Sequence, residues 1–177
     1  MPADIPQGMF YLWSIEMKIN EQLFREKIKP LFSQAVFCSV ATVDPEGKPH
    51  VSPIGSVVLI DMNRGWFFQK FTKNIPKNTE RCEYATIMAV NDGKWFWLKS
   101  ILKGRFKKPP AMRLLVKLGA LRPANEAESQ KFKRRVGLFK RTKGYQLMWS
   151  EMSEVREFEI LEYKPVYIGK MTAQQFS

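Results

Sequence analysis

A lysine set among hydroxyls is the most reactive grouping in this chain. Lys77 follows Pro76, with Thr72 and Thr79 close by, inside Trp66-Phe-Phe-Gln-Lys-Phe-Thr-Lys-Asn-Ile-Pro-Lys-Asn-Thr-Glu-Arg81. A phosphate monoester, with about two negative charges, wants an ammonium, hydroxyl donors and unpaired amides at a helix start. Each such charge-assisted hydrogen bond is worth about 1.5–3 kcal/mol, so losing the lysine would visibly weaken retention of the ligand. The Trp66-Phe-Phe run offers apolar walls, and the Pro53–Gly55 irregularity would free backbone donors for a polar ring edge. Other reactive types are sparse. His50 is the single histidine, and a lone histidine after a turn is more often a surface or interface residue than a catalyst. Cys38 and Cys82 have no metal-ligand neighbours, and two cysteines make neither a disulfide framework nor a four-ligand metal site.

The whole chain bounds the remaining possibilities. Its 177 residues are 45% hydrophobic and 13% aromatic, enough to build a core and to exclude disorder over most of the length. No apolar run approaches the roughly 18–20 residues that span a bilayer. The segment Met9-Phe-Tyr-Leu-Trp-Ser-Ile15 is short and lacks a basic leader, so it does not read as a signal peptide, and a cytoplasmic location is expected. The net charge of +12 is unevenly spread. Between Lys99 and Lys143 fifteen lysines and arginines face only Glu126 and Glu128, and the rest of the chain is nearly neutral. That segment is either a solvated face or a surface for something anionic.

The elements that must position these residues are mostly short and β-rich. Asn20 caps a helix that Pro30 should end or kink. Strands are expected at 36–43, 49–60 (weakened near Pro53 and Gly55), 66–71, 85–90, 95–102 and 155–168, the last interrupted near Pro165. Asp44-Pro-Glu-Gly-Lys48 and Asn91-Asp-Gly93 read as hairpin turns. A two-turn helix fits 74–83. The basic segment reads as helical, with Pro109-Pro110 opening Ala111–Leu121. Asn125-x-x-Glu128 would start a second helix aligning Phe132, Val136 and Phe139, which Gly144 can close. Six antiparallel strands joined by tight turns point to a barrel or a strongly curled sheet.

Two stretches together carry a family likeness. Ser39-Val-Ala-Thr-Val-Asp-Pro-Glu-Gly-Lys-Pro-His-Val-Ser-Pro-Ile54 is followed by the aromatic strand and the Lys77 helix, leading into Ala85-Thr-Ile-Met-Ala-Val90. This order resembles the pyridoxamine 5′-phosphate oxidase-like family of FMN-binding split β-barrels, over about Glu21 to Lys99. The resemblance implies a mainly β, six-stranded antiparallel split barrel with helical additions. It would be a single domain over 1–177, with a basic helical insertion at about 104–144. It also implies a homodimer with FMN at the interface. Ser52, Pro53, Ile54 and Gly55, then Phe68, Gln69 and Lys70, match strand positions that line the cofactor. Lys77 matches the phosphate-binding lysine, with Thr72 and Lys73 nearby. An extra residue or two before Lys77, and the lack of an arginine beside it, make Lys73 the alternative.

The function implied is that of an FMN flavoprotein, an oxidoreductase moving hydride to or from a small molecule, with the redox chemistry belonging to the flavin. The same barrel hosts other roles, so the alternatives are a deazaflavin or haem in place of FMN, a non-enzymatic flavin or haem carrier, or a basic membrane-surface module. The basic segment reads first as a lid or oligomer contact able to hold a small anionic substrate. It reads second as a peripheral membrane element and only third as a nucleic-acid surface, because no nucleic-acid-binding module is recognisable.

Overall fold

The computed structural model of the chain describes residues 19–137, 140–148 and 152–173, so the apolar run 9–15 and Phe139 lie outside it. The Asn20 side chain caps the first helix by accepting from the Leu23 amide at 2.8 Å. Three segments follow without a break: α1 (Glu21–Leu23), a π-turn (Phe24–Ile28) and α2 (Lys29–Gln34). Of the two expectations for Pro30, an end to the helix is not met, because the helix runs on to Gln34. The widened turn just before the proline lets the Lys29 amide reach back to the Phe24 carbonyl, and Pro30 then sits in the first turn of α2, where a missing N–H costs little. Phe24, Ile28, Leu31 and Phe32 share the inward side and are buried.

Seven strands form one antiparallel sheet: β1 (Cys38–Val43), β2 (Pro49–Ile54), β3 (Val58–Leu59), β4 (Arg64–Phe68), β5 (Tyr84–Val90), β6 (Ala111–Pro123) and β7 (Glu154–Pro165). Their order is β2-β1-β5-β6-β7-β4-β3, which puts the consecutive strands β2 and β3 at opposite edges. Only residues 55–57 join those edges, and four Cα steps span at most about 14 Å. The sheet therefore has to curl until its edges nearly meet, leaving a barrel that is split rather than closed. The helix α1–α2 packs into this curl, and its buried residues share one core with Val40, Ile87, Met112, Leu114, Val116 and Phe158. Close approach across the β3–β4 edge requires Gly65, since a Cβ there would lie within 2.5 Å of the Val58 carbonyl oxygen.

Several expectations are corrected. Residues 95–102 are not a strand but part of α4 (Lys94–Lys103). Gly93 at its N-cap and Gly104 at φ 60° at its end bracket a helix, and β6 already holds the place beside β5, with Val90 opposite Ala111. Ala111–Leu121 is not a helix but most of β6, a central strand between β5 and β7. Met112, Leu114, Val116 and Leu118 are buried on one side while Arg113 and Lys117 stand on the other. Arg113 and Lys117 are four apart, an even spacing that fits period 2 as well as the helical period. The basic stretch 104–144 is thus no helical insertion, because the sheet's own middle runs through it. The count becomes seven strands because 49–60 divides at Gly55–Val57, β6 is gained and 95–102 is lost. The 155–168 strand stops at Pro165.

Three further helices, α3 (Asn74–Thr79), α5 (Glu126–Arg135) and α6 (Lys143–Met148), and a 3-10 turn at Gly169–Met171 complete the described elements. The expected capping box is present, with Asn125 and Glu128 each accepting from the other's amide. Gly144 does not close this helix, which ends at Arg135; it lies inside α6. Phe132 and Val136 pack with Trp66, Phe68, Tyr145 and Val155 in a second apolar cluster. Among the described residues no helix is long and apolar enough to cross a membrane, and no three His, Cys, Asp or Glu gather as a metal site.

Candidate functional site: two joined cavities at the barrel split

A serine ties the strand crossing at the split to β4. Where the chain crosses from β2 to β3, the Ser56 hydroxyl accepts from the Phe68 amide at 3.0 Å and donates to the Phe68 carbonyl at 3.3 Å, tying the crossing to β4. Beside that tie a cavity of about 510 Å³ opens, within the ~300–1,000 Å³ of small-molecule sites. Pro53, Ile54 and Gly55 form one wall, Phe68, Lys70, Phe71 and Thr72 contribute a second, and Val36 and Phe37 a third. Phe132, Arg135 and Val136 of α5 close the far side. Phe68 meets Phe132 with ring centroids 4.9 Å apart, so the walls are aromatic and mutually packed.

Polar groups in this cavity are few and placed. Lys70 lies over the Phe71 ring, 5.3 Å from its centroid. The Thr72 hydroxyl is buried and has no hydrogen-bond partner among the described residues. Such a group costs free energy unless something completes it, which makes it a donor or acceptor for a ligand. The Arg135 guanidinium donates to the Ala35 carbonyl at 2.7 Å and the Val57 carbonyl at 3.3 Å. Burial pulls its pKa below the ordinary arginine value, with a small opposing influence from Cys38. Arg135 therefore sits beside the cavity as a cation with carbonyl partners and no carboxylate.

A second cavity, about 440 Å³, shares Ser33, Ser56, Phe132 and Arg135 with the first. Two basic pairs line it: Arg25 and Lys29 from the first helix, Lys131 and Arg135 from α5. Arg25 is committed to Glu21 in an exposed pair, and Lys29 donates to the Ile60 carbonyl at 2.9 Å. Lys131 has no hydrogen bond or carboxylate among the described residues. Burial first, and then the Lys29 charge, hold its pKa below the usual lysine value. A cavity with these walls and no acidic residue favours an anion.

The sequence-based candidates divide into two groups. Pro53, Ile54, Gly55, Phe68, Lys70 and Thr72 are brought together on the larger cavity. Ser52 pairs with Val40 on β2, Gln69 is buried and accepts from Arg156 Nε at 2.7 Å, and Lys73 and Lys77 are exposed; none of these four lines either cavity. Sequence reading missed Arg135 and Lys131, although their i, i+4 spacing flanks the recognised Phe132. His50 is structural: one ring nitrogen meets Asp44 Oδ2 at 3.0 Å and the other Asn74 Nδ2 at 3.3 Å, joining the hairpin turn to α3. Cys38 is buried and its thiol is pushed up to about 12, chiefly by desolvation, so it is no nucleophile.

Solved structures with the same fold are similar only distantly in sequence. An FMN-binding protein from Syntrophomonas wolfei is 17% identical, with 84% of this chain and 89% of that chain covered and a TM-score of 0.59. The HupZ protein of Group A Streptococcus is 14% identical, covers 84% and 99%, and has a TM-score of 0.53. An F420 reductase is 9% identical, covers 77% and 94%, and has a TM-score of 0.52. No curated protein matches the chain significantly in sequence. The curled antiparallel sheet is thus the split-barrel fold, and since residues 24–167 match the family of pyridoxamine 5′-phosphate oxidase, the chain belongs to that family.

Proposed function

We propose that the chain is an FMN-dependent oxidoreductase acting on a small anionic substrate, working as a homodimer. The observation that carries this reading is the larger cavity, where aromatic walls suited to a flat ring end at the unpartnered Thr72 hydroxyl. A flavin bound there would supply hydride chemistry. Pro53, Ile54, Phe68 and Phe132 would exclude water from the ring, and Gly55 would let the backbone approach it. Thr72 would bond the anionic tail, with Lys70 and Lys73 next to it in sequence and Lys77 one helical turn further on. The second cavity supports the substrate class, because Lys131 and Arg135 lie where a negative group would be held beside the shared wall. The exposed Val36, Phe37 and Phe71 on the cavity lining support a second copy as its cover.

A visible spectrum of the purified protein, with the mass of any ligand released on denaturation, tests the cofactor. Flavin absorption bands, an FMN mass and bleaching by a nicotinamide donor are expected. A deazaflavin mass would replace the cofactor. A Soret band would favour a haem carrier. A colourless protein that takes up no added FMN would end the flavin reading.

A further inference from the structure

The β5–β6 hairpin carries an element that the sheet does not need. Val90 and Ala111 are already paired, and the Asn91 amide donates to the Pro110 carbonyl at 2.8 Å, so residues 92–109 form a closed excursion containing α4. One side of α4 packs within the excursion, whose Phe106 amide donates to the Met171 carbonyl at 3.0 Å. Phe96 stacks on Phe106 at 5.5 Å, Trp97 meets the same ring edge-on at 5.3 Å, and the Trp97 indole donates to the Asn91 carbonyl at 2.6 Å. The other side is bare. Trp95 is 74% exposed, Leu98 47%, Ile101 64% and Leu102 77%. At 100° per residue these four cover about a third of the helix circumference.

The excursion around this apolar side is strongly cationic, with Asp92 its one acidic residue. Between Gly93 and Ala111 stand Lys94, Lys99, Lys103, Arg105, Lys107 and Lys108, all exposed, and no acidic residue. An outward apolar stripe bordered by lysines, with a tryptophan at its rim, is how a helix lies in the boundary between lipid headgroups and acyl chains. We infer that α4 docks the protein onto an anionic lipid surface, inserting Trp95, Leu98, Ile101 and Leu102 while the six cations meet the headgroups. A second copy fits this side poorly, because a symmetric contact would bring two copies of the same cationic patch together. A nucleic acid would use the charge but leave the leucines and isoleucine in water. Within the basic segment, Met112, Leu114, Val116 and Leu118 are inside the barrel, which leaves the apolar side chains of α4 for a membrane contact.

Co-sedimentation of the full chain with lipid vesicles tests this. Binding to vesicles with about 30% phosphatidylserine should exceed binding to pure phosphatidylcholine by about tenfold and weaken with added salt. The double variant Trp95→Ser/Leu102→Ser should lose about tenfold in binding to the anionic vesicles while keeping the wild-type thermal transition. Lys99→Ala/Lys103→Ala should lose the preference for anionic vesicles. Equal binding by wild type and the Trp95/Leu102 variant would overturn the inference, as would no binding to either vesicle. A dimer abolished by that variant, without vesicle binding, would also overturn it and give the surface to a second copy.

Discussion

At the scale of single residues, Thr72 separates a ligand site from a merely apolar hole. A buried hydroxyl without a partner lowers stability by about 1–3 kcal/mol relative to a satisfied one, and valine has nearly its shape without the need. Thr72→Val should therefore leave the cofactor-free protein as stable or slightly more so, and raise the FMN dissociation constant about tenfold, or ~1.4 kcal/mol. Titration of the stripped protein followed by flavin fluorescence reads both variant and wild type. An unchanged constant would remove Thr72 from the tail-binding set. Lys73→Ala and Lys77→Ala, run alongside, would show which lysine completes the set. The strand residues around this hydroxyl were legible because Pro53, Gly55 and the aromatic run interrupt regular patterning at fixed places. Arg135 was not, because its partners, the Ala35 and Val57 carbonyls, lie 100 and 78 residues away and leave no local mark.

Among elements, legibility followed local determinism. The first hairpin was readable because Asp44 takes three amide hydrogen bonds at or near its own turn, to Glu46, Lys48 and through its carbonyl to Gly47, which adopts φ 83°. The capping box of α5 was readable for the same reason. Segments 95–102 and 111–121 exchanged their types because their aromatic and aliphatic content fits either period, and the choice was made by which one pairs with β5. Helix α5 is in turn fastened by ionic contacts across the sheet. Arg122 donates to both carboxylate oxygens of the buried Glu128, at 2.9 and 2.7 Å, and to Glu157 at 2.8 Å. Those Arg122 hydrogen bonds, against the opposing effect of burial, hold the Glu128 carboxyl below the usual glutamate range, helped by the Asn125 amide. A carboxylate with a depressed folded pKa contributes its stability in full above the unfolded value near ~4.3 and loses it as pH falls through the folded value. Denaturant midpoints should accordingly begin to drop as pH falls towards ~4.3 and go on dropping until the depressed folded value is passed. Glu128→Gln should cost about 1–3 kcal/mol at pH 7 and flatten that acid slope. An undiminished slope in the variant would assign acid sensitivity elsewhere.

For the molecule as a whole, the decisive feature is that two apolar surfaces are exposed on different parts of one strongly basic chain. One borders the larger cavity at Val36, Phe37 and Phe71; the other is the outer side of α4. At the first, the exposed Lys70 and Lys73 flank Phe71, fewer cations than the six around α4, and an anionic cofactor bound there would offset them as a second copy approaches. If the proposed dimer forms there, the cofactor and the subunit contact share residues, and each must strengthen the other by the same factor. Phe71→Glu places a charge in that contact and in the cavity wall together. It should yield monomers in sedimentation velocity and weaken FMN binding by more than about tenfold. Trp95→Ser/Leu102→Ser should remain dimeric with FMN affinity unchanged. Added FMN should shift wild type towards dimer at dilute concentrations and leave the Phe71 variant monomeric. A Phe71→Glu protein that stays dimeric and holds FMN as tightly as wild type would confine the site to one subunit, with Arg135 and α5 as its only cover.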